Sequence, residues 1–219
     1  MKFPSGISVA ALLMAGAIAT PSFATSLTPG SVVVPATTTT TGYTIDASTG
    51  PLAFSFGGDT GTVEEDAGTY AGNPFGSSDI TFVYQVTVTG GNILNLTSGS
   101  YAIPGIAIDV LQFDGALDSN FPGPTYTPAV DASLTSSGTT LGFGFTPPNG
   151  LMPGMTSYVL IINTNLTTYE PGVFSLQDDQ TENFDGYVPA AVPEPSSLAL
   201  LGTGLLGAAG LARRKFFRK

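Results

Sequence analysis

The chain has 219 residues, no Cys, no His and a formal net charge of −10. All six Lys and Arg residues lie at Lys2 or from Arg213 onward, so residues 25–192 hold fifteen of the sixteen acids, no basic residue and a formal charge of −15. This composition excludes disulfides, Cys or His zinc sites, Ser-His-Asp triads and Schiff-base lysines from residues 25–192, and it excludes nucleic acid as a partner because phosphate binding depends on Lys and Arg.

The first 24 residues have the three regions of a secretory signal peptide. A positive start at Lys2 is followed by an apolar run over residues 7–19 and by the small-residue cleavage site Ser22, Phe23 and Ala24. The run has no polar face, which disfavours an amphipathic first helix of a cytosolic domain. We therefore predict cleavage after Ala24 and export of the remaining chain.

Residues 25–188 have the pattern of one all-β domain, in which short apolar runs alternate with Gly, Pro, Asn, Asp and Ser. The clearest strand covers residues 80–88, where Phe82, Tyr84 and Val86 share one face. Further strands are predicted at 31–34, 43–45, 52–56, 61–64, 93–96, 106–113, 132–134, 140–145, 157–163 and 173–176. Strands at this spacing favour an antiparallel β-sandwich or jelly roll over a single barrel.

Three connecting segments have local signals of their own. Gly90, Gly91 and Asn92 separate two predicted strands and indicate a hairpin between residues 80–88 and 93–96. Residues 35–42 are predicted as a linker or an extended edge strand. Residues 177–191 are predicted as a spacer that leads to the C-terminal segment.

The C-terminal segment, residues 189–219, combines a short motif, an apolar run and a basic cluster. The motif is Pro193, Glu194 and Pro195, the run covers residues 198–212, and Arg213, Arg214 and Lys215 follow it directly. Fifteen residues of helix rise about 23 Å, which is short of the roughly 30 Å hydrocarbon core of a bilayer. The segment is therefore predicted to be a single transmembrane helix that anchors the chain in the inner membrane only transiently, with its basic end in the cytoplasm.

This three-part tail resembles the PEP-CTERM sorting signal of Gram-negative bacteria. In that family the Pro-Glu-Pro positions, here residues 193–195, form the motif, and the basic positions, here residues 213–215, form the charge cluster. The resemblance implies a partner, the exosortase, which is an integral membrane enzyme that recognises the tail and cuts near the motif. It also implies release or transfer of the processed protein to the cell surface.

Carboxylates are the only acid–base side chains left for catalysis in residues 25–188, and they cluster at 64–66 and at 178–185. Glycosidases use such a pair, one residue as acid and the other as nucleophile or base. Two acids alone are not a motif, however, and solvated turns explain both clusters. We therefore assign no catalytic residue and expect a protein that is not an enzyme.

The sequence favours calcium binding over catalysis for such acids, because Ca²⁺ prefers carboxylate and carbonyl oxygens. The candidate ligands are Asp178, Asp179, Glu182 and Asp185. Their spacing differs from that of the EF-hand loop, and diffuse counterion screening is the alternative interpretation. No other cofactor is predicted.

Two functions from different classes remain. The first is a non-enzymatic cell-surface or biofilm-matrix protein that is held in or shed into exopolysaccharide after processing. The alternative is a calcium-assisted carbohydrate-binding or adhesin domain, in which tyrosines at loops and strand ends contact the sugar.

Overall fold

A computed structural model of the protein describes residues 25–39, 42–117, 119–125, 129–145, 150–191 and Thr203. The predicted signal peptide with its cleavage site at Ala24, the motif at 193–195, the basic cluster and all of the apolar run except Thr203 lie outside these residues. In the part of the chain that the structure describes, no helix is long and apolar enough to cross a membrane.

The described residues form fourteen strands in two sheets, which pack as a sandwich and confirm the predicted fold class. In chain order the strands are β1 Thr25–Leu27, β2 Val32–Val33, β3 Ala36–Thr38, β4 Tyr43–Ser48, β5 Leu52–Phe56, β6 Asp59–Tyr70, β7 Ile80–Gly90, β8 Asn95–Ser98, β9 Ile108–Phe113, β10 Ala129–Leu134, β11 Leu141–Phe145, β12 Val159–Thr164, β13 Tyr169–Gln177 and β14 Thr181–Pro189. The two sheets differ in size, with eight strands in the first and six in the second.

The first sheet has the order β1-β9-β12-β7-β6-β4. Two of its strands are long enough to pair with two short strands along the same side: β9 pairs with β1 and then with β3, and β6 pairs with β5 and then with β4. Only the β3–β9 pair is parallel among the described strands. The second sheet has the order β14-β13-β8-β11-β10-β2 and is antiparallel throughout.

The main core lies between the sheets, where alternate side chains of each strand meet. Phe82, Tyr84 and Val86 of β7 face Leu96 of β8 and Phe174 of β13 in this layer. A smaller apolar cluster covers the opposite face of the first sheet. In this cluster the buried Val83, Leu111, Val159 and Ile161 pack with Phe121 from the connection after β9. The central strands β9 and β12 are therefore buried on both faces, which explains why apolar residues occupy both faces of each strand.

The predicted hairpin between residues 80–88 and 93–96 is wrong. β7 pairs with β6 and β12 in the first sheet, whereas β8 lies between β11 and β13 in the second. Gly91 has a φ of +67° and packs tightly against Asp59, so the turn carries the chain from one sheet to the other.

The structure corrects the prediction for one further segment and selects between the two predictions for another. The predicted spacer at 177–191 contains β14, which pairs with β13 along nine residues and whose last residue is Pro189. The segment 35–42, predicted as a linker or an edge strand, contains the edge strand β3.

Candidate functional site

A cleft of about 640 Å³ lies where β5 of the first sheet faces β14 of the second. Its lining includes Leu52 and Ala53 on one side, and Glu182, Asp185 and Tyr187 on the other. We call this space the edge cleft. It combines apolar walls with carboxylates and an aromatic ring.

Carboxylates accept hydrogen bonds from backbone N–H groups of the two strands that form this cleft. β5 and β14 each have a single strand neighbour, so each leaves backbone N–H groups without a partner strand. Glu182 Oε2 accepts a hydrogen bond from the backbone N–H of Ser55 on β5, at 3.2 Å. Glu65 Oε2 accepts one from the backbone N–H of Tyr187 on β14, at 3.0 Å. Side-chain oxygens of Glu182 and Glu65 thus join β14 to the strands β5 and β6 of the first sheet.

Glu65 is fully buried and lies at one end of a chain of hydroxyl groups. The Tyr84 hydroxyl donates to Glu65 Oε1 at 2.7 Å and lies 3.0 Å from Ser98 Oγ. Ser98 Oγ in turn lies 3.2 Å from the Tyr101 hydroxyl. Four polar side chains therefore meet inside an otherwise apolar core and satisfy one another.

Burial raises the pKa of Glu65 to about 8, although the hydrogen bonds from Tyr84 and Tyr187 oppose this shift. No Lys, Arg or His occurs in residues 25–191, so no basic side chain there stabilises the charged form. Glu65 is therefore protonated at neutral pH. When its Oε1 carries the proton, that O–H donates to the Tyr84 hydroxyl oxygen, which donates onward to Ser98.

Gly186 permits the carboxyl group of Glu65 to approach β14. A Cβ atom at this position would overlap Glu65 Oε2 and would also lie 2.7 Å from the Phe174 ring. The contact between the two sheets at this point therefore requires glycine.

The acids at 64–66 are not in a solvated turn, so that interpretation is wrong. They lie within β6, and Glu64, Glu65 and Asp66 are all almost completely buried. Because side chains alternate along a strand, Glu65 points into the main core while Glu64 and Asp66 point to the opposite face of the first sheet. The sheet separates Glu65 from its two neighbours, an arrangement that does not place a carboxylate pair on both sides of one sugar.

The four candidate calcium ligands do not converge. Asp178 Oδ1 accepts from Asn92 Nδ2 at 3.4 Å near the β13–β14 turn, and Asp179 is exposed at the turn itself. Glu182 and Asp185 line the edge cleft. Within the described ranges, no group of three or more acidic, His or Cys side chains is arranged to hold a metal ion.

A row of buried polar groups on the outer face of the first sheet was not predicted. Asn163 Nδ2 donates to Asp109 Oδ2 at 2.9 Å, and Asn163 Oδ1 accepts from the Thr81 hydroxyl at 2.8 Å. Asn73 extends the row by donating to Thr81 Oγ1 at 3.2 Å. Burial raises the pKa of Asp109. The sequence signal for the row is a polar residue inside an otherwise apolar strand.

Comparison with known proteins identifies the C-terminal tail. Residues 191–215 match the family model described as the PEP-CTERM protein-sorting motif. The match includes the Pro-Glu-Pro positions, the apolar run and Arg213 to Lys215. No curated protein and no solved structure matches the chain.

Proposed function

We propose that the mature form of this chain is a non-enzymatic protein of the cell surface or of the biofilm matrix, held in exopolysaccharide. Its PEP-CTERM motif implies export, processing by an exosortase and sorting at the cell surface. The observation that carries this proposal is the junction between the fold and the tail. The last described strand, β14, ends at Pro189, and the match to the family model of the sorting tail begins at residue 191.

A cut near the motif leaves the sandwich complete. The backbone N–H of Ala190 donates to the carbonyl of Thr168 at 3.1 Å, and the Thr168 hydroxyl donates to the carbonyl of Ala190 at 3.1 Å. These contacts fix the end of the fold before Pro193. Processing would therefore release a folded domain that carries every acid of the chain except Glu194 and no basic residue.

The outer face of the second sheet supports contact with a hydrated polysaccharide. A cross-strand row runs through Ser133, Gly142, Thr97, Ser175 and Asn183. Apart from Gly142, these residues have polar side chains, whose hydroxyl and amide groups exchange hydrogen bonds with sugar hydroxyls. The face has no basic residue, so such binding would depend on hydrogen bonds and solvent cations.

The edge cleft favours the alternative function, a calcium-assisted carbohydrate-binding or adhesin domain. Glu182, Asp185 and Tyr187 line one wall, and acids beside an aromatic ring suit a sugar ligand. Binding to a glycan array that is lost on chelation would favour this alternative. Absence of binding, together with retention of the protein in the matrix, would favour the first function.

The processing step is tested by mass spectrometry of the protein recovered from the cell-surface fraction. We expect an N-terminus at Thr25 and a C-terminus near residues 193–195 in cells with an active exosortase. The variant Glu194→Ala should retain the tail, whereas the matched variant Glu170→Ala, on the exposed part of β13, should be processed normally. Recovery of the intact 219-residue chain from the cytosol would refute the proposal.

A further inference from the structure

A second, smaller cavity lies on the outer face of the first sheet, away from the edge cleft. It has a volume of about 160 Å³ and lies between strands β6 and β7 and the segment that contains Ser119, Asn120 and Pro122. Glu64 and Gln85 line it, and they are direct cross-strand neighbours. Both are almost fully buried, with 3% and 4% of their surfaces exposed.

The amide of Gln85 is held in one orientation. Its Nε2 donates to the carbonyl oxygen of Pro122 at 2.8 Å and to that of Ser157 at 2.9 Å, so both N–H groups are used. Its Oε1 is buried and has no hydrogen-bond partner among the residues that the structure describes. An unmatched buried carbonyl oxygen costs free energy unless a donor or a cation reaches it.

The lining of the cavity supplies further oxygens. Glu64 is the cross-strand neighbour of Gln85, and its carboxylate accepts a hydrogen bond from the Ser48 hydroxyl at 3.2 Å. Thr62 and Thr87 form the next cross-strand pair and also line the cavity. Because residues 25–191 contain no Lys, Arg or His, no basic side chain of this part of the chain supplies a positive charge to the cavity.

We propose that this cavity is a calcium-binding site in which the Glu64 carboxylate and Gln85 Oε1 are the principal protein ligands. Ca²⁺ takes six to eight oxygens in flexible geometry, and carboxylate, amide and hydroxyl oxygens are all suitable. A cavity of about 160 Å³ has room for the ion and a few waters, because each water occupies about 30 Å³. Mg²⁺ suits the site less well because it requires near-ideal octahedral geometry.

The site is distinct from the carboxylates at 178–185 and does not depend on the proposed surface role. A single carboxylate with neutral oxygens makes a modest site, so we expect a dissociation constant of about 10⁻⁴–10⁻³ M, as in extracellular calcium modules. Bound Ca²⁺ would link β6, β7 and the segment at 119–122, and would therefore stabilise the outer face of the first sheet.

The test is calorimetric titration of Ca²⁺ into the full-length chain in non-ionic detergent at constant ionic strength. We expect one saturable site per chain. Glu64→Gln keeps the side-chain volume and removes the charge, and it should weaken binding by at least about tenfold. Glu170→Gln removes the same charge from an exposed position on β13 and should leave the affinity within about twofold, which separates a site from diffuse screening.

A wild-type measurement keeps the test decisive if Glu64→Gln does not fold. With ¹³C-labelled glutamate, Ca²⁺ should shift the Glu64 carboxyl resonance saturably and leave that of Glu170 unchanged. Absence of a saturable site, a stationary Glu64 resonance, or equal affinity in the Glu64→Gln and wild-type chains would each overturn the proposal.

Discussion

At the scale of single residues, position in the strand determines what each acid does. Glu64, Glu65 and Asp66 are consecutive, yet alternation along β6 puts Glu65 in the core and its neighbours on the other face. A carboxyl group in a core without a basic residue is stable mainly in its neutral form. The Tyr84 hydroxyl is the side-chain partner of Glu65 and links it to Ser98. Glu65 is therefore a polar member of the core and not a charged one.

Glu65→Gln should remove a pH dependence from the stability of the protein. In the wild type the folded state, with a Glu65 pKa of about 8, holds the proton more tightly than the unfolded chain, with a pKa near 4.5. The contribution of Glu65 to the free energy of unfolding should therefore be largest below about pH 4.5. It should fall by on the order of 4 kcal/mol as the pH rises to about 8. The amide introduced by the substitution imitates the protonated acid, because it can donate to Tyr84 and accept from Tyr187.

Urea unfolding at pH 5 and pH 9 measures this effect. The control is Glu170→Gln, which removes an acid at an exposed position and should keep the wild-type decline. An equal decline in Glu65→Gln and in the wild type would show that Glu65 is charged in the folded state.

At the scale of elements, strand edges determine how the sandwich closes. β14 is the last strand and lies at the edge of the second sheet, where its backbone binds Glu65 of the first sheet. It also supplies Phe184 and Val188 to the buried side of the sheet. The strand therefore covers the core, protects the edge of β13 and gives Glu65 one of its hydrogen bonds.

Removal of β14 should prevent folding, whereas removal of the tail alone should not. A chain that ends after Ala191 keeps all of its strands and should melt within about 2 °C of the full-length chain. A chain that ends after Gln180 loses nine residue pairs with β13. It also loses the burial of the Phe184 and Val188 side chains, each of which contributes about 2 kcal/mol to the free energy of unfolding. Thermal melting followed by circular dichroism should show a cooperative transition only for the longer chain, and cooperative melting of both would contradict this role of β14.

At the scale of the whole molecule, charge is the dominant feature. Residues 25–191 have a formal charge of −15 and no basic side chain, so like charges repel across the surface and no internal salt bridge offsets them. The core and the hydrogen-bonded sheets must stabilise the fold against this repulsion. Dissolved cations reduce the repulsion by screening, so stability and self-association should both depend on salt.

Raising NaCl from 10 to 300 mM, with a chelator present to remove divalent ions, should raise the melting temperature. We expect the free energy of unfolding to rise by about 1–2 kcal/mol, or the melting temperature by roughly 3–6 °C.

Self-association through the exposed edge residues Val32 and Val34 should also be faster at 300 mM than at 10 mM NaCl. Faster assembly in deionised buffer would refute the electrostatic explanation.

Features that depend on local pattern could be predicted before the fold was known. The tail motif is contiguous, so residues 191–215 were recognisable without a fold. The alternation of apolar residues is also local, and it predicted the bounds of β5 and the start of β7. The same alternation predicted an all-β sandwich, because strands with one apolar face must bury it against another sheet.

Strand pairing and the burial of individual acids depend on contacts between distant parts of the chain. A glycine turn after β7 permits either a hairpin or a crossing to the other sheet, and the pairing of β8 with β11 and β13 selects the crossing. The properties of Glu65 depend on the backbone of Tyr187, 122 residues away, and those of Gln85 on Ser157, 72 residues away. Such contacts form only when distant segments pack together, so burial, pKa and the oxygen-lined cavity belong to the fold and are absent from any local stretch of sequence.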